Sequence, residues 1–133
     1  MRGKIYIGEW KYYQKNANDL LILEHYDMSG NLIGDRFIYY KNGQISEQSH
    51  YVKGKLDGES ISYAENGVVL KRLIYSLGQL HGVSKYFNPK GDLITQGRYK
   101  NGKKDGVWSY FKEGKLIDKK DFSYKSKYKK KAP

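Results

Sequence analysis

The chain has 133 residues, enough for one domain with a moderate core or for a short repeat array. Aromatics make up 15% of it, with 14 tyrosines, 15 glycines and only 2 prolines, a profile that suits many short strands and tight turns rather than helices. The absence of cysteine excludes disulfides, Cys-ligated zinc and thiol nucleophiles, and about half of the net charge of +11 sits in residues 119–133, where seven lysines stand against Asp121.

No apolar run reaches the length of a membrane-spanning helix. The stretch Met1–Ile7 is basic and lacks an apolar core of signal-peptide length, so a cytoplasmic location is expected, export requiring a leader ahead of this sequence. Gly8-Glu9-Trp10-Lys11-Tyr12-Tyr13 opens a first unit, a polar insertion follows from Gln14 to Asp19, and Leu20-Leu21-Ile22-Leu23 is continuously apolar. Terminal repeats are commonly atypical because one face lacks a neighbour. Residues 1–33 are therefore expected to form an N-terminal capping hairpin unit.

From there the chain keeps a beat. Gly34, Gly58, Gly82 and Gly106 recur every 24 residues, as do Gly30, Gly54, Gly78 and Gly102. A third column, Gly43, Gly67, Gly91 and Gly114, slips by one only at its last step, and Tyr51, Tyr75, Tyr99 and Phe122 follow the same period. A fixed period of this size marks a repeat architecture. Residues 34–122 are read as regular hairpin repeats, and residues 123–133, which have no apolar face and no turn signal, as a flexible basic tail.

Within a unit, Arg36–Tyr40 reads as a first strand, Lys41-Asn42-Gly43 as a turn and Gln44–Val52 as a second strand, with residues 53–58 as a connector. Pro89 fits the second position of a type I turn and Gly91 the left-handed residue after it, which is a three-residue loop closed by a glycine bulge. The same geometry is expected at 41–43, 65–67 and 112–114. This loop pairs Tyr39 with Ile45, Tyr63 with Val69, Phe87 with Leu93 and Phe111 with Leu116. By parity, Tyr51, Tyr75, Tyr99 and Phe122 share a face with these four pairs, and all of them, with Leu56 and Leu80 from the connectors, are the expected core. The opposite face carries Arg36, Ser60, Ser84 and Trp108 beside Ile38, Ser62, Tyr86 and Tyr110, and is expected to be the more solvated. The fold class is all-β: tandem hairpins of about 24 residues in one elongated, twisted antiparallel meander sheet.

Asn101-Gly102-Lys103-Lys104-Asp105-Gly106-Val107-Trp108-Ser109-Tyr110-Phe111, with Gly54-Lys55-Leu56-Asp57-Gly58-Glu59 as its connector, resembles the MORN-repeat variant of bacterial proteins. In particular it is similar to the toxin–antitoxin system antitoxins of the YwqK type, over roughly residues 8–122. The resemblance implies a hairpin meander used as a binding platform, with an antitoxin or immunity role among its expectations.

Catalytic chemistry finds little support. His25, His50 and His81 stand apart, without the spacing of a metal site. Ser109-Tyr110-Phe111-Lys112 spells a Ser-x-x-Lys signature, but on a strand those side chains point to opposite faces. Asp35, Asp57 and Asp105 lie in or beside connectors, and Asp57 and Asp105, each before a glycine at the same phase, read as turn residues. No catalytic residue, metal ligand or cofactor is expected, and the chain is read as no enzyme. A protein partner is the leading expectation, on the face that carries Arg36, Tyr86, Trp108 and Tyr110, whose composition resembles an interface. The alternative is an anionic phospholipid or nucleic-acid surface held by Lys125, Lys127, Lys129, Lys130 and Lys131. Of these two, nucleic acid is disfavoured because no recognition fold accompanies the charge.

Overall fold

The computed structural model describes the backbone of residues 9–14 and all of residues 21–123. Among the described residues twelve strands form one antiparallel sheet: β1 (Glu9–Gln14), β2 (Leu21–Tyr26), β3 (Gly34–Tyr39), β4 (Ile45–Val52), β5 (Lys55–Leu56), β6 (Gly58–Tyr63), β7 (Val69–Ser76), β8 (Gln79–Leu80), β9 (Gly82–Phe87), β10 (Leu93–Lys100), β11 (Lys103–Lys112) and β12 (Lys115–Asp121). The path across the sheet runs β1-β2-β3-β4-β6-β7-β9-β10-β11-β12, with β5 attached to β4 and β8 to β7. This is the all-β hairpin meander that the 24-residue beat predicts.

Three turns have the expected three-residue form. The Gly43 N–H donates to Tyr40 O at 2.9 Å, Gly67 N–H to Ala64 O at 2.9 Å and Gly91 N–H to Asn88 O at 2.8 Å. The fourth differs. Lys112 pairs directly with Lys115, around Glu113 and Gly114 at φ 50° and 79°. A turn with both central residues at positive φ is the two-residue type whose twist matches that of its strands. The expected loop at 112–114 is thus one residue shorter, which is why the last glycine of that column slips by one.

The connectors are hairpins too. Lys53-Gly54, Leu77-Gly78 and Asn101-Gly102 all have positive φ, so β4 folds straight into β5, β7 into β8 and β10 into β11. Each of these turns is tied to the unit before it, because Gly54 N–H donates to Leu32 O, Gly78 N–H to Leu56 O and Gly102 N–H to Leu80 O, at 2.7–2.8 Å. The ties lock neighbouring units at one edge of the sheet.

Register corrects the expected core. Ile38 pairs with Glu47 but Tyr39 with Ile45, so Ser46 is an extra residue in β4. Leu70, Ile94 and Ile117 are extra in the same way. Side chains alternate with period two, and one extra residue moves everything beyond it to the other face. The pairs Tyr39–Ile45, Tyr63–Val69, Phe87–Leu93 and Phe111–Leu116 form as expected. However, Tyr51, Tyr75, Tyr99 and Phe122 lie on the opposite face from them, with Arg36, Ser60, Ser84 and Trp108. That second face, called the front here, carries the core: Ile22, Glu24, Ile38, Ser49, Ser60, Leu73, Ser84 and Trp108 are buried on it, while Ile61 is buried on the back.

Candidate functional site

One row crosses the middle of the front face from β2 to β12: Glu24, Arg36, Ser49, Ser60, Leu73, Ser84, Gly97, Trp108 and Lys120. Within hairpins, Arg36 pairs with Ser49, Ser60 with Leu73, Ser84 with Gly97 and Trp108 with Lys120. Large side chains flank pairs of small ones along the row, Ser49 and Ser60 between Arg36 and Leu73, and Ser84 and Gly97 between Leu73 and Trp108, so the row closes without a second layer. Trp108 is the extreme case, 1% exposed. Its indole lies flat over Gly97, where even a Cβ would collide with the ring. Gly97 serves by lacking a side chain rather than by its φ.

Trp108 is also bonded and stacked. Its Nε1–H donates to Arg98 O at 3.1 Å. This carbonyl lies beside the bulge in which β11 inserts two extra residues between the pairs Gln96–Ser109 and Arg98–Asp105. Tyr99 and Phe122 meet the indole edge-on at centroid distances of 5.0 and 6.4 Å, and Lys104 Nζ stands 4.7 Å from its centroid. At the other end of the row the Arg36 guanidinium pairs with buried Glu24, which also accepts from Tyr26 OH at 2.6 Å. Between these ends the Ser49 and Ser60 hydroxyls bond each other at 2.9 Å. The Ser84 hydroxyl, 0% exposed, has no hydrogen-bond partner.

Tyrosines flank the row. Tyr86 OH and Tyr99 OH are 3.2 Å apart. Burial first, and then the bond to Tyr99, raise the Tyr86 pKa far above the ordinary phenol value. Burial, followed by the charge of Glu47 and the neighbouring Tyr51 and Tyr99, raises that of Tyr75. The structure thus brings Arg36, Tyr86, Trp108 and Tyr110 onto one face, as the sequence suggests. The expectation that this face is the more solvated is corrected: Trp108 is sealed and Arg36 is spent on a buried carboxylate, while Tyr86 and Tyr110 are part-buried. Lys125, Lys127, Lys129, Lys130 and Lys131 lie outside the described residues.

The back face changes character along the chain. In the earlier units it holds polar pairs, a hydrogen bond between Asp35 and His50 at 2.9 Å and the Glu59–Arg72 ion pair at 3.3 Å. At the phase of Asp35 and Glu59 the later units carry Val83 and Val107, 50% and 54% exposed, with Ile74 nearby at 38%. A hollow of about 390 Å³ opens between these valines, floored by the backbone of Gly97 and Gly106 and edged by Gln96, Ser109 and the Arg98–Asp105 pair. The sequence reading missed this place. Its only trace in the sequence is that positions 35, 59, 83 and 107 read Asp, Glu, Val, Val. Among the described residues no group of three or more His, Asp or Glu is arranged to hold a metal ion.

Residues 32–53, 56–76 and 80–101 each match the family described as MORN repeat variant. Each match runs from a connector to the next two-residue turn, so family unit and structural unit coincide. No curated protein matches the chain. Among solved structures, a Glycosylation Associate Protein complex from Streptococcus agalactiae aligns at 14% identity and a TM-score of 0.43, over 77% of this chain and 18% of that one. A mutant of S. aureus TarM, in complex with fondaparinux, alpha-GlcNAc-glycerol and UDP, aligns at 14% identity and a TM-score of 0.37, over 72% of this chain and 21% of that one. The chain spans about a fifth of the length of either structure.

Proposed function

We propose that this chain, which carries three MORN repeat variants, is a non-enzymatic scaffold that binds a protein partner through a face of its sheet. The observation that carries this reading is the asymmetry of the faces. The front closes on itself, whereas the back leaves Ile74, Val83 and Val107 in water on a hydrogen-bonded, ordered surface. Aliphatic side chains grouped around a hollow and rimmed by polar ones are the composition of an interaction surface. An antitoxin or immunity role is one form of this binding, supported by the resemblance of Asn101–Phe111 to YwqK-type antitoxins.

Affinity capture from the native host, followed by a binding assay with the purified candidate, tests the reading. A saturable complex between this chain and one protein is expected. Absence of any such complex at micromolar concentrations refutes the scaffold role.

A second reading, contact with an anionic surface, has its own observation. Lys53 and Lys55 stand at one two-residue connector turn and Lys100 and Lys103 at another, and the lysines from Lys125 to Lys131 add to the charge of the chain. Sedimentation with anionic lipid vesicles at rising salt measures it, since such binding weakens steeply as salt is added.

A further inference from the structure

The preceding unit shows what the hollow lacks. Where β7 meets β9, the side chain of Ile74 covers Gly82: a Cβ built on that glycine would lie 3.2 Å from Ile74 Cβ. One period later the residue at the phase of Ile74 is Arg98. Its guanidinium pairs with Asp105, Nη2 to Oδ2 at 2.6 Å. The glycine at the matching phase, Gly106, is met by that guanidinium rather than by an aliphatic group, a Cβ built there lying 3.5 Å from Arg98 Nη2, and the exposed walls Val83 and Val107 stand on either side. What the hollow lacks, among the described residues, is aliphatic cover of the kind that Ile74 gives Gly82.

Charge describes what surrounds that piece. Lys85 pairs with Gln96, Gln96 with Ser109 and Ser109 with Lys119. These four residues make a row on the back face beside the hollow, with an exposed lysine at each end. No ion pair holds either lysine among the described residues. Strands lie about 4.8 Å apart, so three strand spacings separate the two lysines by roughly 14 Å. An extended segment rises about 3.4 Å per residue, so its side chains at i and i+4 span nearly the same distance.

We propose that the hollow on the back face of β9–β12 docks an extended acidic segment of a partner protein, one aliphatic side chain seated between Val83 and Val107 and carboxylates two residues to either side meeting Lys85 and Lys119. The proposal rests on the scaffold reading and names the chemistry of its partner.

Isotope-labelled protein titrated with an 11-residue peptide centred on Glu-Ala-Ile-Ala-Glu tests it by nuclear magnetic resonance, which reads weak binding residue by residue. The Val83 and Val107 methyl resonances are expected to shift together and to saturate. Affinity should fall about tenfold or more when Lys85→Glu and Lys119→Glu are combined, through loss of charge complementarity. A comparable fall is expected in Val107→Asp, and in Val83→Ser should Val107→Asp disturb folding. Replacing the central Ile of the peptide by Ser, or both Glu by Lys, should abolish the shifts. Shifts confined to the front-face tyrosines, or equal binding of the Lys-flanked peptide, would overturn the proposal. So would a wild-type affinity in the double charge reversal. If the peptide fails while a captured partner still binds Val107→Asp protein normally, the docking site is wrong and the scaffold reading stands. If the chain captures no partner at all, the scaffold reading falls as well.

Discussion

The two faces of this sheet are built on the same strands, with the same turns and the same 24-residue beat, yet they vary along the chain in different ways. On the front every change of residue is answered by its neighbour. Arg36 stands opposite Ser49, Leu73 opposite Ser60, and Gly97 opposite Ser84 and under Trp108. On the back, Asp35 and Glu59 give way to Val83 and Val107, and at the last junction no aliphatic side chain among the described residues answers the change. Compensated variation keeps a row closed and belongs to folding. Uncompensated variation leaves surface in water and is where a repeat scaffold acquires a partner.

The hardest blow to that contrast comes from adjacent residues on opposite faces. Trp108→Ala should destabilise the fold by about 3–5 kcal/mol, as truncation of a buried aromatic does, whereas Val107→Ala should cost no more than about 0.5 kcal/mol, as exposed positions do. Urea unfolding of both variants measures it, and equal costs would mean that the faces are not distinct.

Gly97→Ala comes next, at about 1–3 kcal/mol, because the added methyl drives into the indole. Combining it with Trp108→Leu should cost less than the sum of the single changes, as expected of side chains that share one space. Additive costs would show that the ring does not rest on this glycine.

The serines give a sharper and smaller test, because Ser60 and Ser84 stand at the same phase. Ser60→Ala removes a buried hydrogen bond to Ser49 and should cost about 1 kcal/mol. Ser84→Ala removes a buried hydroxyl that has no partner and should be neutral or slightly stabilising. Thermal unfolding of the pair should therefore show opposite or unequal shifts, and equal losses would refute the row as described.

The mildest effect is on pH. Tyr75 and Tyr86 have pKa values raised in the folded state, chiefly by burial. A raised phenol pKa favours the neutral form in the fold, so the contribution is intact below the ordinary value of 10.0 and is lost as pH rises beyond it. Stability measured from pH 9 upward should fall above about pH 10, and Tyr86→Phe should flatten the fall. A wild-type curve level through that range would remove the tyrosine cluster from the account.

Much of the architecture is legible in the sequence, because its cause is local. Glycines at a fixed period impose turns wherever they occur, and Pro89 with Gly91 states the form of one of them. Paired positions follow from the loop length, and Tyr39–Ile45 and its repeats form as the sequence predicts. The family resemblance was equally visible, since the glycine and aromatic columns carry it. What the sequence could not decide was which face each column occupies. Ser46, Leu70, Ile94 and Ile117 look like ordinary strand residues, and only pairing across strands shows that each is one too many. With a side-chain period of two, that single residue exchanges inside for outside. Trp108 consequently passed for a surface anchor and proved to be the best-buried aromatic among the described residues. The hollow was hidden for a related reason: it is floored by glycine backbone and edged by the Arg98–Asp105 pair, and an absence of side chain is not written as a motif. Composition and period fixed the strands and turns because those are local, whereas burial, the closed row and the open hollow belong to contacts between strands that only the folded sheet brings together.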